Sequence, residues 1–292
     1  MATLFEPFAY FFFQKGLIVA GISGALLGLI GVFIVLRGMS YIGHGLSHSI
    51  FGGFAAMQLF AAKFYAIGAG LWGIASALAI TAVTKRSRVG ADAAIGVITI
   101  ASFAFGVALF AKFGTSGPSF ENALFGSILG ITTGQIMGLV AVSILTSIFV
   151  FLRYRALLFS SFDPEVAAVS GVKVGRIEAA LMVVLSLAIL ATLTVIGVTL
   201  VAAMLVIPAV IARMLTNSFG RMLAYSTVIG MFCGVTGMYL SYFADVPSGT
   251  MIVLSGASLF IVVLAATGRR GLRRSAGLDR HPEDAFKAVK VD

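Results

Sequence analysis

The chain has 292 residues, 60% of them hydrophobic and only 11% charged, with a formal net charge of +9 and a mean hydropathy of +1.08. Soluble domains carry about 45–50% apolar and about 25% charged residues, so this balance excludes a soluble enzyme built around one core. The single cysteine, Cys233, sits inside an apolar run, which excludes a disulfide and a thiolate metal site and leaves it a small apolar filler.

The apolar residues come in repeated runs of about 17–25, the length that crosses ~30 Å of hydrocarbon as helix. The 34 glycines suit such a bundle, because small residues let helix backbones approach closely in lipid. In chain order, Met1 to Lys15 gathers Phe5, Phe8, Tyr10 and Phe11 to Phe13 beside Glu6 and Pro7. It lacks the basic start and cleavage site of a signal peptide and reads as an interfacial aromatic segment.

Nine spans are expected next: Gly16 to Leu36, Gly43 to Ala62, Tyr65 to Val83, Ala91 to Ala111, Gly134 to Phe151, Ile177 to Ile196, Val198 to Leu215, Met222 to Phe243 and Gly249 to Ala266. Gly197 is the weakest division; one kinked helix there would make the count eight. Together these make an all-α, polytopic membrane bundle over residues 1–268, followed by a basic, then mixed-charge tail over 269–292 without apolar periodicity.

Charge sets the orientation, because cytoplasmic loops retain Lys and Arg. With the N-terminus outside, Arg37, Lys85, Arg86, Arg88, Arg153, Arg155, Lys173, Arg176, Arg213, Arg221 and the seven basic residues beyond Gly268 all face inward. That is 17 of the 20 Lys and Arg, against Lys15, Lys63 and Lys112 outside. The asymmetry supports nine spans and a cytoplasmic C-terminus. It also explains the basic balance as topology, with the charges at helix ends and no continuous face for nucleic acid.

Ionisable groups within lipid-spanning helices are costly and usually functional. Every Asp and Glu falls in a loop, a tail or the first turn of a span, whereas His44 and His48 fall inside the second span. Four residues apart on a helix, they share a face one turn apart and are able to point at one ion, imidazole being the commonest protein ligand for transition metals. The alternative is that each ring hydrogen-bonds a neighbouring carbonyl. Ser47 stands beside them as a candidate path-lining residue. No Glu follows the first histidine, which excludes the zinc-protease pattern, and no Walker A sequence occurs, so any ATP hydrolysis belongs to another chain.

Three further stretches carry signals. Asp163-Pro164-Glu165 reads as a helix start, with Asp as N-cap, Pro at the first position and Glu favoured by the dipole, and Gly171 supplies the stop. The expected short helix, Pro164 to Ser170, is either a knob that another protein grips or a helix on the membrane surface. Pro208 interrupts the seventh span and kinks it, a second candidate path-lining position. Asp245-Val246-Pro247-Ser248-Gly249 reads as an outward turn.

These stretches resemble the metal-importing ABC permeases of the zinc, manganese and iron type. The resemblance runs through Leu36-Arg37-Gly38-Met39-Ser40-Tyr41-Ile42-Gly43 into the His44/His48 helix, then Asp92 to Gly96, Phe125 to Gly130, Phe162 to Glu165, Val201 to Pro208 and Asp245 to Gly249. It implies a fold like type II ABC importers, a bacterial inner-membrane location and no permanently bound cofactor. It also implies a second permease copy, a dimer of cytoplasmic ATPases and an extracytoplasmic metal-binding receptor. The family's second-helix motif reads Gly-Asp-x-(Leu/Ile)-Ser-His, with Asp and His lining the metal path, so His44 stands where the family has Asp while His48 is kept. Imidazole in place of carboxylate disfavours manganese and tilts the site toward zinc. Phe162, Asp163, Pro164, Glu165, Val166, Val169 and Gly171 resemble the family's coupling helix, implying docking into the ATPase. The competing readings are a secondary metal transporter or channel without an ATPase, which would normally need intramembrane carboxylates, and an intramembrane serine hydrolase, which the adjacency of Ser47 and His48 disfavours.

Overall fold

The computed structural model describes residues 5–61, 65–86, 90–113 and 131–278. The described residues form a 3-10 turn, Glu6–Ala9, and eleven helices: α1 Phe11–Leu36, α2 Ile42–Ala61, α3 Tyr65–Arg86, α4 Ala91–Phe113, α5 Thr133–Leu152, α6 Tyr154–Phe162, α7 Pro164–Val169, α8 Val174–Ile196, α9 Val198–Leu215, α10 Phe219–Ala244 and α11 Ser248–Leu278. Eight of the nine expected apolar segments lie within a helix of this set, and the second, Gly43 to Ala62, lies in α2 except for Ala62, which is outside the described residues. Among the described residues seven helices are long and apolar enough to cross a membrane, and Leu200–Leu215 of α9 forms a further apolar helix. The remaining expected span, α2, is diluted by its histidines and serines.

Some boundaries differ from those expected. The N-terminal aromatic segment does not stay apart: α1 begins at Phe11, and Phe13 packs edge-on against Tyr242 of α10, with ring centroids 5.6 Å apart. Burial of those rings extends the first helix outward. Gly197 is a real break, with φ 81° and ψ 165° separating α8 from α9. The last helix continues through Leu278 and so takes in the first part of the expected tail. Lys63, Arg88, the Phe125 to Gly130 stretch and the tail from Asp279 lie outside the described residues.

The bundle is centred on α1, which is buried along most of its length and packs against α9 and α10. The α1–α10 seam is built from small residues: a methyl added at Gly24 would land on Gly230 O, and one at Gly234 on Ala20 O. Ser226 Oγ donates to Gly28 O at 2.5 Å across the same seam. Backbones this close supply the dispersion contacts that hold helices together where hydrocarbon solvent gives no hydrophobic gain. A second small-residue seam joins α2 to α4, where a methyl on Gly106 would meet the backbone of Gly52.

One end of the bundle is marked by charge. Arg37 after α1, Lys85 near the end of α3 and Glu178 near the start of α8 meet there, Arg37 Nη1 lying 3.7 Å from Glu178 Oε1 and Lys85 Nζ pairing with Oε2. Their meeting puts the ends of α1 and α3 and the start of α8 on one side, as the charge partition of the sequence requires.

Candidate functional site

The chain leaves α1 through a Schellman turn: Gly38, at φ +69°, lets its N–H reach Val35 O and lets Met39 N–H reach Ile34 O. Ile42 N–H then bonds Met39 O at 2.9 Å and α2 begins. Glycines set where α2 sits. Gly43 abuts Leu205 of α9, and Gly45 abuts Ile95 and Thr99 of α4.

The two imidazoles stand one above the other on this helix, their centroids 4.4 Å apart and their planes at 74°. A metal–nitrogen bond of about 2 Å puts an ion about 3 Å from each ring centre, so rings within about 6 Å of each other are able to share one ion. His44 and His48 meet that condition. His44 is exposed and His48 half-buried. His48 lies edge-on to Phe103 at 5.1 Å, near the middle of α4. Ser49, the next residue, hydrogen-bonds Ser76 Oγ at 2.6 Å, near the middle of α3. His48 therefore sits inside the bundle's length, and His44 one turn nearer the charged end from which α2 starts.

His48 Nδ1 is buried and has no hydrogen-bond partner among the described residues. A buried imidazole nitrogen without a partner is costly for a packing residue, which argues against the reading in which each ring satisfies a carbonyl. It suits a ligand. Among the described residues no cluster of three or more His, Cys, Asp or Glu is able to hold a metal.

Ser47, expected beside the path, is fully buried and donates to Gly43 O at 2.7 Å, one turn back on its own helix. Its hydroxyl is engaged away from the imidazole face. Pro208 is buried inside α9, one turn beyond the Leu205 that abuts Gly43. It lacks an N–H for Met204 O, which loosens α9 next to the α2 contact.

The short helix forms with the expected caps. Asp163 Oδ1 accepts from Glu165 N at 3.1 Å and Val166 N at 2.9 Å, and Pro164 occupies the first turn. Gly171, at φ +82°, closes a second Schellman motif, its own N–H on Ala168 O and Val172 N–H on Ala167 O. Ala167 is buried, whereas Val166 is 53% and Val169 91% exposed, with Phe162 exposed beside them. The result is a rigid knob with an apolar tip.

Sequence reasoning missed two polar groupings. Ser49, Ser76, Ser102 and Trp72 form a hydroxyl–indole cluster linking α2, α3 and α4. Arg37 donates to Ser160 Oγ at 3.0 Å and Ser161 Oγ at 3.4 Å as well as pairing with Glu178. The arginine and the serines were visible as residue types; their partners depend on helix rotation, which periodicity alone does not give.

Fold and site together define a multi-pass helical membrane protein with an imidazole pair set into its bundle and a capped knob beside its charged end. The chain belongs to the ABC 3 transport family, which matches residues 9–267. It is 35% identical over 264 residues to the manganese transport system membrane protein MntC of Halalkalibacterium halodurans, covering 90% of each chain. It is 33% identical over 259 residues to the chelated iron transport system membrane protein YfeD of Yersinia pestis, covering 89% of this chain and 86% of that one. Among solved structures it is similar to PsaBC from Streptococcus pneumoniae in complex with Fab, with a TM-score of 0.78 and 31% identity over 87% of this chain and 91% of that one.

Proposed function

We propose that this chain is the membrane-spanning permease subunit of an ATP-driven importer for a divalent transition metal ion, with zinc favoured over manganese and iron. The observation that carries the reading is the His44/His48 pair, 4.4 Å apart and open on one side, with an unpartnered buried nitrogen on His48. Relatives named for manganese and iron transport support the class of cargo. Imidazole at position 44 supports zinc over manganese, because imidazole suits zinc whereas carboxylate suits manganese.

Two imidazoles do not complete a coordination sphere. The exposure of His44 supports a second permease copy, whose equivalent pair would face this one across a two-fold interface, with water filling any remaining position. Nine spans, an extracytoplasmic N-terminus and a cytoplasmic C-terminus in a bacterial inner membrane fit the partition of Lys and Arg. On that orientation α7 faces the cytoplasm, and Val166, Val169 and Phe162 form the surface that a dimer of ATPases grips. An extracytoplasmic receptor delivers the ion. ATP binding and hydrolysis in the partner switch the bundle, and release follows from lower affinity in the inward state.

A secondary transporter or channel is less well supported, because the carboxylates of the described residues lie at helix ends, within the first two turns of helices or in turns between them, where they are poorly placed for ion coupling at depth.

The test is uptake of radiolabelled zinc and manganese into proteoliposomes holding the permease with its ATPase. Metal-driven uptake and metal-stimulated ATP hydrolysis are expected in the native complex and lost in His48→Ala with the complex intact. Unchanged stimulation in that variant removes the site.

A further inference from the structure

The mechanism above leaves Arg37 without a role, although its side chain is only 9% exposed and its guanidinium joins four helices. It follows α1 directly; it donates to Ser160 and Ser161 of α6 and pairs with Glu178 of α8, which also holds Lys85 of α3. Burial pushes this guanidinium below its ordinary value while Glu178 pulls it back up, and arginine stays protonated throughout. A planar fork with both edges engaged is a rigid connector, which the single point charge of lysine would not reproduce.

What lies on either side of the connector gives it meaning. Ser160 and Ser161 stand immediately ahead of Phe162 and Asp163, and Asp163 is both the end of α6 and the N-cap of α7. No flexible segment separates the arginine's hydroxyl partners from the knob. On the other side, Arg37 opens the Schellman turn whose hydrogen bonds run through Gly38 and Met39 to Ile42, and Gly45 N–H closes on Tyr41 O at 3.0 Å around His44. The path from α7 to the imidazoles is thus a run of hydrogen-bonded, capped structure in which the Arg37 side chain joins α6 to the turn before α2.

Resting on the permease reading, we infer that Arg37 is a positioning residue that transmits movement of the α7 knob to the histidine helix α2 through Ser160 and Ser161, with Glu178 as its anchor on α8.

The experiment uses the full permease–ATPase complex in proteoliposomes, in a Cys233→Ala background with a Tyr41→Cys reporter, since Tyr41 is 70% exposed one turn before His44's neighbour on α2. Maleimide labelling of the reporter is compared without nucleotide and with ATP and vanadate trapped, alongside ATP hydrolysis and metal uptake. The parent is expected to change its labelling rate several-fold between the two states. Arg37→Gln and the Ser160→Ala/Ser161→Ala double variant are expected to label alike in both states. They should continue to hydrolyse ATP while moving about tenfold less metal per ATP, within the usual span of a coupling free energy.

Variants that switch like the parent overturn the inference, as does a parent whose labelling does not change with nucleotide. If Arg37→Gln fails to assemble, the serine variant decides, because it keeps the Arg37–Glu178 pair. A parent that switches and hydrolyses ATP but moves no metal sinks the permease reading and leaves the link in place.

Discussion

Replacing Gly31 by alanine is expected to disturb the site from a distance, while the same change at Gly43 is expected to be nearly silent. A methyl on Gly31 of α1 would stand 2.9 Å from the carbonyl carbon of Leu205 in α9 and closer still to its oxygen. The oxygen sets the larger demand, so α9 must retreat by more than about 1 Å to restore ordinary contact, and a helix carbonyl has no rotamer with which to yield. Overpacking of this kind costs about 1–3 kcal/mol. At Gly43 the methyl meets Leu205 Cδ2 at 2.6 Å and Ala202 Cα at 3.7 Å. The leucine terminus is able to rotate away, and the gain in helix propensity, up to about 1 kcal/mol, offsets the adjustment. Thermal unfolding of the purified permease, followed by the fluorescence of its one tryptophan, Trp72, separates the two. A loss of about 2 kcal/mol lowers Tm by about 4–8 °C in a chain of this size, with Gly43→Ala within about a degree of the parent. Because Leu205 touches both Gly31 and Gly43, metal uptake should fall in Gly31→Ala too. Equal melting temperatures for the two variants would refute the close α1–α9 approach on which the reasoning stands.

Three other outcomes follow from the geometry. His44→Asp puts a hard carboxylate beside His48 and is expected to raise manganese uptake relative to zinc by about tenfold or more, in the direction that ligand hardness sets; competition between the two labelled ions in the same vesicles measures it. Imidazole binds metal only when neutral, so uptake is expected to fall as the pH is lowered into the acidic range; a flat profile, with ATP hydrolysis monitored in parallel, counts against histidine ligation. Asp163→Ala removes the acceptor for Glu165 N and Val166 N and is expected to cost α7 about 1 kcal/mol of cap stability, seen as weaker co-purification with the ATPase, whereas Asp163→Asn retains it.

Much of the fold was legible because lipid demands long apolar helices, and every described residue of the expected segments falls within a helix. The cap residues Asp163, Pro164 and Gly171 also read correctly, since a cap is a local geometric requirement. What escaped was amphipathic or non-local. Tyr154–Phe162 folds as α6, yet it lies outside the nine expected spans, because its buried residues, Leu157 and Ser160, are too few to mark a period. The last helix runs on past Gly268 although its charges signalled a tail. At the site, spacing gave the shared face of His44 and His48. It did not reveal that Ser47 turns back to Gly43 O or that Arg37 finds Glu178, because both depend on how neighbouring helices are rotated.

That rotation is itself written into α2 once its neighbours are known. Gly45, Ser49 and Gly52 follow the spacing of one helical stripe, and all three meet α4: Gly45 against Ile95 and Thr99, Ser49 on Ser102 Oγ at 2.8 Å, and Gly52 against the backbone of Ser102. A stripe of small and hydroxyl-bearing residues fixes the approach of α4, and Ser49 fixes α3 through Ser76 in the same contact. His44 and His48 each precede a member of that stripe and are turned about 100° from it. His48 therefore rests its edge on Phe103 at the border of the α4 contact while His44 opens outward. Enlarging Gly45 or removing the Ser49 hydroxyl would rotate or separate α2 from α4 and carry both imidazoles with it. The orientation of the pair is thus a property of the small residues beside it, and a variant that keeps both histidines but loses the stripe should lose metal handling as completely as His48→Ala.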